Sequence, residues 1–156
     1  MEWDTGATIL AGVVGTAVMT AILYMGIAMM PRQMTMNLLY MLGSMMTPNR
    51  ATAYMVGAMM HTVNGILFAL AHTGIYRVFE LESDLALWGL LFGLVHWAIV
   101  GVGLGMIGMI HPLMKRGEMQ APGMFAKNLP AMTVMGFLML HLVFGLLVGV
   151  LYEAWS

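Results

Sequence analysis

Residues 85–110 read LALWGLLFGLVHWAIVGVGLGMIGMI, a run of 26 residues that contains no Asp, Glu, Lys or Arg. The hydrocarbon core of a bilayer is about 30 Å thick, and about 20 apolar residues in a helix cross it. The run therefore predicts a transmembrane helix. The composition of the whole chain agrees, because 61% of the residues are hydrophobic and 8% are charged, against about 25% charged in soluble domains.

Three further stretches have the length and composition of a span, namely residues 6–30, 51–76 and 131–155. Glu153 is the one Asp, Glu, Lys or Arg residue in them, and it lies in the last turn of its span. The predicted fold class is an all-α membrane protein with four transmembrane helices, formed by residues 1–156 as a single domain.

The segment 32–46, RQMTMNLLYMLGSMM, is apolar but too short to span. Methionines and leucines fall on one face of a helix built from it, and polar residues fall on the other. That pattern predicts an amphipathic helix lying in the membrane interface after the first span. A re-entrant turn is the alternative.

Charged residues predict the orientation of the spans. The connections between spans one and two and between spans three and four carry basic residues, whereas RVFELESD (77–84) has one Arg and three acidic residues. Because basic connections stay in the cytoplasm, we expect both termini on the outer side of a prokaryotic plasma (inner) membrane. The basic residues of the two connections are Arg32, Arg50, Lys115, Arg116 and Lys127.

A weak internal repeat relates the two halves of the chain. HTVNGIL (61–67) aligns with HLVFGLL (141–147), and AGVVGTAVM (11–19) aligns with FGLVHWAIV (92–100). The order of these segments predicts two pseudo-repeated helical hairpins, related by an axis along the membrane normal.

Several function classes have no support in the residue types present. The chain has no cysteine, which excludes thiolate metal sites and iron–sulfur clusters. Its net charge of −1 gives no indication of nucleic-acid binding. An enzyme is the weakest class, because neither a Ser/His/Asp set nor a pair of buried carboxylates is evident.

Three histidines fall at one predicted depth near the middle of the membrane: His61, His96 and His141. Each lies near a stripe of small residues, where membrane helices approach closely. We therefore expect the three imidazoles to point into the bundle, with Asn64 and Thr16 beside them and Thr20 close by. The other two histidines, His72 and His111, lie nearer the span ends and are expected to be solvated or to meet lipid headgroups.

Two interpretations of the histidine layer remain open. In the first, the imidazoles join helices by hydrogen bonds. In the second they hold a ligand, since ionisable groups inside membranes usually mark functional sites. A soft metal ion such as copper(I) would use the imidazoles, with Met19, Met59 and Met139 as further soft ligands. Haem b on two histidines is the less favoured ligand, with Gly65 and Gly145 leaving room for the porphyrin edge.

Methionine is abundant and unevenly distributed. The chain has 21 methionines, yet residues 61–105 and 140–156 contain none. The pattern indicates either an adaptable surface that docks a partner or a thioether route to the histidines. For the route, the expected lining of an inner vestibule is Met25, Met29, Met55, Met59, Met106, Met109, Met135 and Met139.

At GVVGTAVMT (12–20), HTVNGILFAL (61–70) and FGLVHWAIVG (92–101) the chain resembles small four-helix bacterial membrane proteins of unknown function. The resemblance implies a four-helix membrane fold and no particular activity.

The functional hypothesis with most support is a non-catalytic membrane protein whose His61, His96 and His141 bind, or pass on, a soft transition-metal ion. The alternative is an accessory subunit that packs against a larger membrane complex, or against copies of itself, through its methionine-rich half and glycine stripes.

Overall fold

The computed structural model describes residues 3–156, and within them every regular element is a helix. The long helices are α1, Thr5–Met29; α3, Arg50–Val78; α4, Leu85–Ile110; and α6, Ala131–Trp155. The short elements are α2, Leu38–Gly43; α5, Pro112–Lys115; and a single 3₁₀ turn at Met124–Ala126. All four long helices are long and apolar enough to cross a membrane. The four predicted spans are thus confirmed as helices, with bounds that agree within two residues.

The chain divides into two compact units, and every long helix contributes to both. The terminal unit comprises residues up to Leu23, Thr62–Trp97 and Leu138–Ser156. The connecting unit comprises Tyr24–His61 and Ala98–Phe137, and therefore holds the two longer connections.

In the terminal unit, helices meet where glycine leaves room for a neighbouring backbone. A Cβ on Gly89 would overlap the carbonyl of Gly145, and one on Gly149 would overlap the carbonyl of Leu85. Gly65 of α3 likewise lies against Thr16 of α1. Small residues permit such close contacts between helices. The glycines on the predicted stripes of α3 and α6 are therefore packing positions.

One glycine near the predicted histidine layer does not follow this rule. Gly103 of α4 is exposed, and no atom lies within 4 Å of where its Cβ would stand. Gly103 is therefore not a position of close helix packing.

The connecting unit is organised around residues 30–46. The predicted amphipathic helix over 32–46 is too long, because only Leu38–Gly43 is α-helical. Asn37 caps the helix, since its side chain accepts a hydrogen bond from the Tyr40 backbone N–H, and a polar cap fixes where a helix begins. The preceding Met34 and Met36 are buried, so part of this segment belongs to the core of the unit.

Side chains from other helices hold this segment. Tyr24 of α1 donates to the Asn37 carboxamide oxygen at 2.7 Å, and the Asn37 amide donates to the Tyr54 hydroxyl at 2.5 Å. Thr133 of α6 donates to the Gln33 carbonyl at 2.8 Å. Three long helices therefore fix the first connection by polar contacts.

Candidate functional site

Two of the three predicted histidines lie together in the terminal unit. The rings of His96 on α4 and His141 on α6 have centroids 4.7 Å apart and meet edge to face. Both residues are buried. The approach depends on Gly93, since a Cβ there would stand 2.5 Å from the His141 carbonyl oxygen. Gly93, three residues before His96, thus allows α6 to approach α4 closely.

His72 is the third imidazole beside them, and the expectation that it is solvated or meets lipid headgroups is wrong. It is 3% exposed, and its ring lies edge-on to that of His96 with centroids 6.0 Å apart. A signal for this was present in the sequence. His72 follows Gly65 by seven residues, which is about two helical turns, and therefore shares its packing face.

Three phenylalanine rings enclose the histidines. Phe68 stacks on His96 with centroids 3.5 Å apart and an angle of 18°. Phe144 meets His72 and His96 edge to face, and Phe92 meets His72 in the same way. Edge-to-face contacts are favourable because the positive ring edge meets the negative ring face. We call His72, His96, His141, Phe68, Phe92 and Phe144 the imidazole–phenylalanine cluster.

The polar environment of the cluster differs from the expected network. Thr16 Oγ1 donates to the Gly12 carbonyl of its own helix at 2.7 Å, and Thr20 bonds the Thr16 carbonyl in the same way. Asn64 is exposed. Within residues 3–156, neither ring nitrogen of His72 has a hydrogen-bond partner.

The remaining predicted site residues are distributed differently. His61 is half-buried and belongs to the connecting unit. Met19 is buried, whereas the side chains of Met59 and Met139 are 63% and 55% exposed.

The described residues do not support a metal centre with three or more ligands. No group of three or more His, Asp or Glu side chains in residues 3–156 is placed to hold a metal ion.

A haem does not fit either, because the glycines expected to leave room for it are packed. Gly65 lies against Gly12 and Thr16, and Gly145 lies against Gly89 and Gly93.

The fifth histidine, His111, forms a separate polar centre in the connecting unit. Its Nδ1 accepts a hydrogen bond from the Leu113 backbone N–H at 3.2 Å and so caps α5. Nδ1 must then be unprotonated, so that Nε2 carries the hydrogen and donates to the Met41 carbonyl at 2.9 Å. Its side chain is fully buried, so the expectation that it meets solvent or headgroups is wrong.

The eight methionines expected to line a vestibule point outward instead. Their exposed fractions range from 55% to 73%. A thioether route toward the histidines would require buried sulfur atoms, so this arrangement removes the main support for the route. We call them the outward methionines: Met25, Met29, Met55, Met59, Met106, Met109, Met135 and Met139.

Comparison of the chain with models of known families, with curated proteins and with solved structures gave no significant match. The resemblance to small four-helix bacterial membrane proteins therefore stays a prediction from short motifs.

Proposed function

We propose that the chain is a multi-pass protein of a prokaryotic plasma membrane with both termini on the outer side. Four apolar helices of 25 to 29 residues support the membrane location. The orientation rests on the charges in the connections, because the acidic connection Phe79–Asp84 lies at the opposite ends of the helices from the two basic ones.

Within that membrane we propose that it is a non-catalytic accessory subunit of a larger assembly. The observation that carries this proposal is the outward direction of the eight methionines on α1, α3, α4 and α6. Thioether side chains are flexible and polarisable, which suits a surface that must adapt to a partner.

The position of the methionines favours the connecting unit as the contact surface. Of the 21 methionines, 18 lie in Tyr24–His61 and Ala98–Phe137. Exposed positions of the terminal unit carry branched residues instead, such as Leu87, Leu91 and Val95. A requirement for apolar character alone would not separate the two residue types in this way.

The imidazole–phenylalanine cluster supports a structural role for the terminal unit. Its rings pack edge to face and face to face across α3, α4 and α6. Such contacts between helices fix their packing without requiring a bound ion. In this proposal the terminal unit is the rigid scaffold and the connecting unit carries the contact surface.

The proposal is tested by comparing two sets of substitutions in the native membrane. In one variant the eight outward methionines become leucine, a change that nearly conserves volume. In the control, four exposed leucines of the terminal unit become methionine: Leu67, Leu87, Leu91 and Leu94. Native gel electrophoresis after mild solubilisation then measures the size of the species that holds the chain.

We expect the wild type and the control to migrate as one defined assembly with fixed subunit stoichiometry. The methionine-to-leucine variant should migrate as the free chain of 17.0 kDa in its micelle. A wild type that already migrates as the free chain contradicts the proposal, as does a variant that keeps the assembly. An assembly of identical copies identifies the partner as a second copy.

One observation favours a second candidate function, the binding of a soft metal ion such as copper(I) by two imidazoles of the cluster. Both ring nitrogens of the buried His72 lack a partner within residues 3–156. A buried polar atom without a hydrogen bond is costly, and a metal ion would satisfy one of the two nitrogens. Imidazole is a common copper ligand.

His72→Phe separates the two candidates, because it keeps an aromatic ring and removes both nitrogens. If the cluster only packs, the variant should be as stable as the wild type or more stable. If the cluster binds copper(I), titration of the detergent-purified protein should give one equivalent for the wild type and none for His72→Phe. His61→Phe serves as the control in the connecting unit.

A further inference from the structure

We propose that the outward methionines reduce lipid hydroperoxides, and that this protein therefore protects the membrane around it by stoichiometric oxygen transfer to its thioethers. The proposal concerns the chain alone in lipid. It rests on the membrane location proposed above and applies to the chain outside the proposed assembly, where no partner covers these methionines.

The outward methionines occur in pairs along each long helix. Met25 and Met29 are four residues apart on α1, and Met55 and Met59 are four apart on α3. The pairs Met106 and Met109 on α4, and Met135 and Met139 on α6, follow the same spacing of three or four residues. Residues at this spacing are neighbours on a helix surface, so each helix presents two adjacent thioethers.

Exposure places these sulfur atoms where acyl chains would surround them. Seven of the eight lie in the connecting unit, and Met139 lies in the terminal unit. Met29 is the last residue of α1, and Met109 is the residue before the end of α4. A hydroperoxide group on an acyl chain is polar and is drawn toward the membrane surface, which is where helix ends lie.

The reaction balances without a further reactant. The thioether sulfur attacks the terminal oxygen of the hydroperoxide, a sulfur–oxygen bond forms, and the oxygen–oxygen bond breaks. The hydroperoxide hydrogen moves to the remaining oxygen, which leaves as the lipid alcohol. Sulfur is oxidised by two electrons to the sulfoxide, and the hydroperoxide is reduced by two electrons.

The fold tolerates this reaction at the outward methionines. A sulfoxide is polar and disrupts a packed core, but these side chains are not in the core. The buried methionines would be damaged by the same change, and their burial also protects them from the oxidant. They are Met19, Met34, Met36 and Met41, which are 4–8% exposed.

The test uses the intact chain in phosphatidylcholine vesicles that contain a known amount of linoleoyl hydroperoxide. Chromatography of the lipids measures loss of hydroperoxide and gain of the lipid alcohol. Peptide mass spectrometry measures sulfoxide at each methionine. The matched control is the variant with leucine at all eight outward positions, which retains the four buried methionines.

We expect sulfoxide to form at the outward methionines on the order of tenfold faster than at the buried ones, because oxidation follows exposure. Each equivalent of sulfoxide should appear with one equivalent of lipid alcohol. The leucine variant should consume less hydroperoxide than the wild type, and what it consumes should appear as sulfoxide at the remaining exposed methionines, Met46, Met124 and Met132.

Three results would overturn the proposal: equal rates at buried and outward methionines, sulfoxide without lipid alcohol, or equal hydroperoxide loss with the leucine variant. Circular dichroism of the variant confirms that it is folded. This oxidation test is separate from the test of the accessory role, which measures the size of the native assembly and uses no oxidant. One proposal can therefore fail while the other holds.

Discussion

Helices of the terminal unit meet through close backbone contacts, and the connecting unit adds polar side chains that hold its connections. In the terminal unit, glycines such as Gly89 and Gly145 bring one helix backbone against another, and aromatic rings fill the space beside them. In the connecting unit, side chains such as Asn37, Thr133 and His111 bind the backbone of residues 30–46 or of α5. Glycine also admits a neighbouring backbone in the connecting unit, for example at Gly57. Substitutions should therefore separate two kinds of contact, close backbone approach and polar side-chain bonds.

The largest effect is expected from a side chain added at a glycine of the terminal unit. In Gly145→Val the new atoms would overlap the Gly89 carbonyl and the backbone of Gly93. Overpacking of this kind should lower the free energy of unfolding by about 3 kcal/mol, measured by denaturation in detergent micelles.

Gly74→Ala is the matched control in the same unit. No atom lies within 4 Å of where its Cβ would stand, and alanine favours a helix over glycine by about 1 kcal/mol. This variant should therefore be at least as stable as the wild type. Equal losses at Gly74 and Gly145 would show that the terminal unit does not depend on close backbone contact.

A smaller loss is expected from His111 in the connecting unit. His111→Ala leaves the Met41 carbonyl and the Leu113 N–H without their side-chain partner. An unpaired buried group costs about 1–3 kcal/mol, so the loss of unfolding free energy should be about 2 kcal/mol. His111→Asn restores a capping oxygen for Leu113 and should recover part of it.

The Thr133 hydroxyl should contribute about 1 kcal/mol to the free energy of unfolding, which is the usual net value of one hydrogen bond. Thr133→Val removes its bonds to the Gln33 carbonyl and the Thr35 N–H. Thr20→Val is the control, because the Thr20 hydroxyl bonds the carbonyl four residues before it in its own helix. Amide hydrogen exchange at residues 33–36 should quicken in the first variant alone.

The smallest effect is expected at the exposed ion pair in the connection between α4 and α6. Arg116 Nε donates to Glu118 Oε1 at 2.6 Å, and this hydrogen bond lowers the pKa of the Glu118 carboxyl below its usual value. The stabilisation from this ion pair is therefore fully present at pH values above the ordinary pKa of a glutamate carboxyl. It is lost as the pH falls through the lowered pKa of Glu118. Because both side chains are exposed, Glu118→Gln should change the melting temperature at neutral pH very little, and a large decrease would contradict this.

The four long helices could be predicted from sequence because length and apolar character alone determine them. The pairing of His96 with His141 followed from depth and from the small residues beside them. Predicted depth gave the wrong environment for His72 and His111, because a residue near a helix end can still face another helix. The ring contacts with Phe68, Phe92 and Phe144 depend on three-dimensional packing that no spacing rule contains.

The methionines are a second case in which packing, and not the sequence pattern, determines where side chains lie. Their clustering along the chain is visible in the sequence, but the direction of each thioether is not. Pairs of methionines three or four residues apart are compatible with the lining of a vestibule and with an outer surface. Their exposed fractions of 55% to 73% in the folded structure favour the outer surface.

The long-range bonds of the first connection have a consequence for biosynthesis. Gln33 receives its hydrogen bond from Thr133, 100 residues later in the chain, and Met41 receives one from His111, 70 residues later. At a synthesis rate of about 5–20 residues per second, roughly 5–20 s pass between the appearance of Gln33 and that of Thr133. During that interval α1 and α3 remain in the nascent chain without these bonds, and the first connection reaches its final structure only when α6 emerges.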